Sequence, residues 1–523
     1  MRIYKAGIAS FVLIASLAAC DKGFESLNKD PNAVTGDRFN PAYLLASAQL
    51  QTAKNGGEAN TGLFYCEGFV QHFASLSNVG IFNFHGDKYV YHKGNNEALW
   101  FASYDIVKLL QDLIQNTQEV VEYNNLLQMS RIWRTVVFQR LTDLYGDVPY
   151  SEAGLAFYQH IYKPKYDSQK FIYEHMLAEL EDATAKLNSD MPLYPSADIV
   201  YDGDIQKWKR LGYSMMLRLG MRLSKVEPEN AKLWVQKAYN GGVFESNDDN
   251  LFIRGTDAEG TIEALSNADS WVLSVSTREG GKISKTFFDF LKNHHDPRLK
   301  HTVAVYTNPM DITTKNTDPA IQKGLPNGLD RNTLMADPSY DPDAPGQEHQ
   351  YSGINRDVYG KLDGPRMFIT HGEVALLLAE ATVRGWIGGN AAEYYGTGVR
   401  SAMKNLSIYD PSALISDAEI NEYLAENPFV GTQDLPAAFE QINTQYWAAT
   451  FMNGYEAFAN VRRSGYPRLI PVNYPDNETG GLFPRRLRYP ENEAVLNTDH
   501  YKEAVARQGT DNYITRLWWD KED

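Results

Sequence analysis

Apolar residues at three- and four-residue spacing, returning along most of the chain, constrain its fold more than any other feature. Trp100, Tyr104, Val107, Leu110 and Ile114 form one stripe, and Trp133, Val137, Leu141 and Leu144 form the next. On a helix each set falls on a single face. The pattern recurs at 169–187, at Trp208, Leu211, Met215 and Leu219, and at 229–240, where Gly241-Gly242 stops it. Two earlier helices are expected at 41–54, with Leu44, Leu45, Ala48 and Leu50, and at 63–74. Consecutive amphipathic helices joined by short turns must bury their stripes on one another, so a stacked helical scaffold is predicted over 41–242.

Two regions depart from this pattern. Residues 75–96 set Phe82, Phe84, His85, Tyr89 and Tyr91 among Gly80, Gly86 and Gly94, and resemble neither helix nor regular strand. Residues 243–370 are rich in Gly, Pro, Asp and Asn, with helical spacing mainly at 284–292. Loops of that length in a compact protein are functional or disordered. Helices resume at 371–386, 391–406, 416–425 and 434–459, ahead of an irregular tail rich in Arg, Tyr and Pro. Residues 41–523 therefore read as one mostly α domain: a helical scaffold (41–242), a loop-rich middle (243–370), and C-terminal helices with a tail (371–523).

The first residues carry a different signal. Arg2 and Lys5 precede an apolar run at 6–17 that closes in Leu17-Ala18-Ala19-Cys20. This is a secretory signal, 1–19, rather than a membrane span, since the run is short of the ~20 residues a span needs. The small residues before Cys20 also match the lipoprotein pattern, in which that thiol is diacylated and becomes the first mature residue; an ordinary signal ending in cysteine is the other possibility. Acylation of the new amino terminus adds a third chain, and three exceed the two signals needed for stable anchoring. Residues 20–40, with Asn28, Asp30, Pro31, Asn32 and Gly36, then form a tether.

Several functions are disfavoured by what the chain carries. A net charge of −16 provides no basic surplus for nucleic acid. Of the two cysteines, Cys66 lies in Leu63-Phe64-Tyr65-Cys66 and reads as a small buried residue. No Gly-x-Ser-x-Gly elbow, His-Glu-x-x-His helix or phosphate loop occurs, so no catalytic residue is named and no metal or cofactor is expected. His294-His295-Asp296 reads as a helix end and Asp202-Gly203-Asp204 as a turn into the helix at 205. Arg462-Arg463 and Arg485-Arg486-Leu487-Arg488 read as structural ion pairs. A carboxylate pair for glycoside hydrolysis leaves no local signature, so a surface-anchored glycoside hydrolase stays open as a competing function.

Several stretches together resemble the SusD/RagB family of outer-membrane nutrient-binding lipoproteins, in its SusD-like branch. They are Phe24-Glu25-Ser26-Leu27-Asn28-Lys29-Asp30-Pro31-Asn32, Leu141-Thr142-Asp143-Leu144-Tyr145-Gly146-Asp147-Val148-Pro149-Tyr150, Leu217-Arg218-Leu219-Gly220-Met221-Arg222, and Glu373-Val374 through Glu380-Ala381. The tail adds Asn453-Gly454-Tyr455-Glu456-Ala457, Arg462-Arg463-Ser464-Gly465-Tyr466-Pro467, Pro484-Arg485-Arg486-Leu487-Arg488-Tyr489-Pro490 and Trp518-Trp519-Asp520. Ala457-Phe458-Ala459-Asn460 departs from the tryptophan-containing version of its segment.

The resemblance implies a SusD-like α-helical fold with tetratricopeptide-like helix pairs and a long-loop binding face. It places the protein on the exterior of the outer membrane, lipid-anchored, as a lid on a SusC-like TonB-dependent transporter to which it delivers oligosaccharide or peptide without catalysis. Similar proteins carry binding aromatics in the region of 75–96, so Phe82, Phe84, Tyr89 and Tyr91 are the first candidate ligand contacts, and Trp271 in the loop-rich middle is the next. Core packing is the competing role for each. A subunit that only stabilises the transporter is a further alternative.

Overall fold

In the computed structural model, which describes residues 40–54, 57–76, 84–257, 266–276 and 281–522, the amphipathic stripes fold as helices. The longer ones are α1 (Ala42–Lys54), α2 (Lys93–Thr117), α3 (Asn124–Tyr145), α4 (Gln169–Lys186), α5 (Ile205–Arg222) and α6 (Pro228–Gly241). After them come α7 (Lys285–Asn293), α8 (His371–Val383), α9 (Ala391–Lys404), α10 (Asp417–Glu426), α11 (Leu435–Ala449), α12 (Gly454–Ser464) and α13 (Thr498–Gln508). Their ends carry local stops and starts. Ser168 accepts from the Phe171 amide ahead of α4, Asp204 from the Gln206 and Lys207 amides ahead of α5, and Thr370 with Glu373 closes a capping box on α8. Gly146 at φ 84° ends α3, and Gly465 at φ 80° ends α12, positions where a β-carbon is disfavoured.

Each of the first five helices packs against the next, and α5 also meets α8, which packs on α9 and α11; α12 reaches back to α3. Four tryptophans, Trp133, Trp208, Trp447 and Trp519, are fully buried among these helices. Burying an indole strands its N–H unless a partner is supplied, and each has one: Thr52 Oγ1 at 3.0 Å, Asp198 Oδ2 at 2.6 Å, the Val70 carbonyl at 2.9 Å and Asp143 Oδ1 at 3.1 Å. Contacts divide the chain at Pro41, with Ala42–Asp523 as one compact unit. Among the described residues no helix is long and apolar enough to cross a membrane.

Buried ion pairs fasten distant helices. Arg222 of α5 donates to Glu456 of α12 at 2.8 Å and stands 3.3 Å from Asp143 of α3, while Arg218 donates to Glu373 of α8 at 3.0 Å. Arg463 of α12 grips Glu380 of α8 at 2.7 Å. The tail arginines are likewise paired, Arg485 with Asp520, Arg486 with Asp511 and Arg488 with Glu478.

The structure differs from the sequence expectation in four places. The helix expected at 434–459 is two, because the chain turns at Thr450–Asn453 with Met452 at φ 69°. The helix expected at 63–74 begins earlier, as a π-helical run Glu58–Cys66 continuing to Phe69, and stops before Gln71 at φ 58°. The tail contains α13, a polar helix with only Ala504 buried. The loop-rich middle contributes most of a five-stranded sheet built from very short strands: β1 (Phe73–Ala74), β5 (Lys282–Ile283), β6 (Val303–Tyr306), β7 (Lys315–Asn316) and β8 (Gly353–Ile354), in the order β1-β5-β8-β6-β7. The other pairs are β2 (Val148–Pro149) with β3 (Tyr166–Asp167), and β4 (Leu251–Arg254) with β9 (Pro365–Ile369).

Candidate functional site

The expected binding aromatics separate into core and surface. Phe82 lies outside the described residues. Phe84 is buried edge-on against Phe64, with ring centroids 4.6 Å apart. Tyr89 is closed off from solvent between Phe69 and Phe483, and burial pushes its phenol up to about 12. The cause is the close approach of 84–91 to the 58–69 helix. A β-carbon on Gly68 would meet the Asp87 amide at 2.5 Å, and one on Gly86 would meet the Tyr65 carbonyl at 2.2 Å. Two small residues thus let backbone pack on backbone and draw the flanking rings inward.

Tyr91 and Trp271 are half-buried and keep part of their rings open. Tyr91 donates to Glu491 at 3.1 Å and lies under the Arg488 guanidinium, 4.7 Å from the ring centre. Trp271 closes a short helix, Ala268–Trp271, capped by Asn267, which accepts from the Ser270 amide at 3.0 Å. Phe84 and Leu273 both flank Gly281, so the run after Trp271 meets the run that starts at Phe84. Tyr91 instead sits against the C-terminal tail, beside Tyr513.

The groups that invited chemistry from sequence have structural surroundings. Cys66 is fully buried, and burial pushes its thiol well above the ordinary range. His294 contacts the Phe290 carbonyl at 2.8 Å at the end of α7, and His295 faces Glu426 at 3.0 Å. Among the described residues no three His, Cys, Asp or Glu side chains are grouped to hold a metal. Two carboxyls are raised to about 7 by burial, Asp269 against the opposing pull of Arg366 and Glu373 against that of Arg218. Both are sealed inside the protein.

A cleft that the sequence did not reveal opens between the start of α4 and the tail. Its volume is about 640 Å³, and its lining includes Gln169, Lys170, Arg507, Arg516 and Trp518. Trp519 points into the core, while its neighbour Trp518 is half-buried and lines the cleft. The doubled tryptophan was a visible signal, but Gln169 and Lys170, which line the cleft with Trp518, lie more than three hundred positions away.

Comparison with known proteins identifies the family. A SusD-like family model, described as starch-binding associating with outer membrane, matches residues 31–490. The chain belongs to the SusD-like family. The solved structure of a chitin-binding protein is similar at 34% identity and a TM-score of 0.79, covering 92% of this chain and 100% of its own. Bacteroidetes AC2a SusD-like is similar at 27% identity and a TM-score of 0.81, over 92% and 100% of the two chains. A chitin-binding SusD homologue from Flavobacterium johnsoniae shares the fold at 23% identity and a TM-score of 0.76, over 92% and 99%. Comparison with curated proteins returns no match.

Proposed function

We propose that the protein is a cell-surface glycan-binding lipoprotein that captures chito-oligosaccharide and hands it, uncleaved, to a SusC-like TonB-dependent transporter in the outer membrane. The observation that carries this is the 34% identity to a chitin-binding protein across its whole length. The family description supports glycan binding and an outer-membrane setting. Cys20, acylated, anchors the chain, and the tether that follows lets the folded body stand off the bilayer on the exterior face. Trp271 and Tyr91 offer ring surface for stacking on sugar faces, with Arg488 and Glu491 beside Tyr91 to take up hydroxyls. Phe82 is proposed as a further contact, and Phe84 and Tyr89 as buried packing.

Capture without catalysis is supported by the setting of the carboxyls. A glycosidase needs a raised acid and a second carboxylate flanking an accessible bond. Asp269 and Glu373, raised to about 7 by burial, are held by Arg366 and Arg218 in the interior, and Asp147 and Asp520 of the cleft wall, whose carboxyls burial also raises, are paired with Arg507 and Arg485.

Retention on insoluble polysaccharide tests the assignment. The protein is expected to be depleted from solution by chitin more than by starch granules. Trp271→Ala and Tyr91→Ala should each weaken retention about tenfold, the scale of one lost aromatic platform. Retention on neither polymer, with tight binding to the transporter, overturns glycan capture and favours a structural subunit. Peptide binding in place of sugar binding overturns the choice of ligand alone.

A further inference from the structure

The cleft beside α4 is walled by Gln169, Trp518, Arg507 and Arg516. Gln169 is fully buried; its amide nitrogen donates to the Thr142 carbonyl at 2.8 Å, and its Oε1 has no hydrogen-bond partner among the described residues. Both ends of that amide are sealed from solvent, so Gln169 backs the cleft as packing. Trp518 lines the same cavity, half-buried, its inner side toward Tyr173 at a ring-centre distance of 6.2 Å. Arg507 and Arg516, with side chains 42% and 33% exposed, complete the wall.

Their charges are already matched. Arg507 donates to Asp147 at 2.5 Å, and Arg516 donates to Asp520 at 3.0 Å and to Glu522 at 2.9 Å. A phosphate or carboxylate would compete with those acids for the guanidiniums, whereas a neutral ligand uses only the N–H edges they leave exposed. The cleft thus presents a flat ring, donors on Arg507, Arg516, Lys170 and Lys521, and the carboxylates of Asp147, Asp520 and Glu522 around about 640 Å³, within the roughly 300–1,000 Å³ typical of ligand pockets. Hydroxyl and acetamido groups on a flat apolar ring match that set.

We propose that this cleft is a second saccharide subsite, taking a short neutral oligosaccharide with one sugar face on Trp518 and its hydroxyls on the exposed N–H groups of Arg507 and Arg516. It rests on glycan capture as the function and adds a site remote in sequence from the loop face.

Calorimetry with chitotriose on the full chain, wild type and Trp518→Ala, tests it, with amide hydrogen exchange of the wild type as the second measurement. Two binding events in the wild type and one in the variant are expected, with affinity at the lost site down at least about tenfold, Trp518→Phe retaining most of it, and ligand-induced protection at 168–171 and 514–519. A single event that Trp518→Ala abolishes without altering the melting temperature also supports the subsite, and moves the main site away from the loop face. A single event unchanged by Trp518→Ala, with no protection at 168–171, overturns the subsite and leaves glycan capture standing. Absence of binding by both chitotriose and maltotriose overturns glycan capture and the subsite together. Should Trp518→Ala fail to fold, exchange on the wild type decides: protection at both segments supports the subsite, and its absence overturns it.

Discussion

Glu380→Gln is expected to lower the unfolding free energy by about 3–5 kcal/mol, the cost of breaking a buried ion pair from one side. Glu380 joins three helices. Its Oε1 accepts from Arg463 Nη1 at 2.8 Å and Arg384 Nε at 2.9 Å, and its Oε2 from Arg463 Nη2 at 2.7 Å and Asn443 Nδ2 at 3.1 Å. Arg463 is fixed in turn by Asn460 and by Asn443. Removing the negative charge leaves a fully buried guanidinium facing neutral amides. With total stabilities of about 5–15 kcal/mol typical of folded proteins, such a loss is large. Urea denaturation measures it.

The same residue sets a pH dependence. Burial alone pushes the Glu380 carboxyl up, but Arg463 and Arg384 overcome it and hold the group well below the usual carboxylate range. The folded state therefore binds fewer protons at this site than the unfolded state, whose glutamate titrates near 4.5. Its contribution is full above that pH and is lost as pH falls towards the folded value. The stability gap between wild type and Glu380→Gln should accordingly narrow as pH drops below about 4.5, and an unchanged gap would contradict the ion-pair assignment.

Asp143→Ala is expected to cost about 3 kcal/mol or more, because it orphans several buried partners at once. Oδ1 accepts from the Tyr173 hydroxyl and from Trp519 Nε1, and Oδ2 accepts from Gln139 Nε2 at 2.7 Å and stands 3.3 Å from Arg222. Asp143→Asn keeps the shape and part of the hydrogen bonding, so it should fall between wild type and alanine. Trp519 fluorescence offers a local readout, since its indole loses its only acceptor among the described residues.

These two residues show why the family motifs were legible as scaffold. Asp143, Arg218, Arg222, Glu373, Glu380, Glu456 and Arg463 all sit in the quoted stretches, and each is buried in an ion pair between helices. Charged residues on otherwise apolar helix faces were the visible sign, although their partners, often over a hundred positions away, were not. The helices themselves were readable because each buries one stripe. The sheet was not, since strands of two to four residues are too short for alternation to register. Helix α13 escaped because its face toward the protein is carried mainly by Ala504, with Tyr501 and Val505 only partly buried.

The binding face was less legible than the fold. Sequence placed Phe84, Tyr89 and Tyr91 together as aromatic loop residues, yet two of them are drawn into the core by the backbone approach at Gly68 and Gly86. That approach depends on which segments meet, which local composition does not encode. The cleft at Trp518 has the same origin, assembled from α4, α13 and the tail.

The most direct measurement is a calorimetric titration of the lipid-free protein with chitohexaose, followed by mass analysis of the recovered sugar. Saturable binding with the hexamer recovered intact is expected of a capture protein. Shorter chains in the recovered sugar, or no binding of chitohexaose while another ligand class binds, would contradict it.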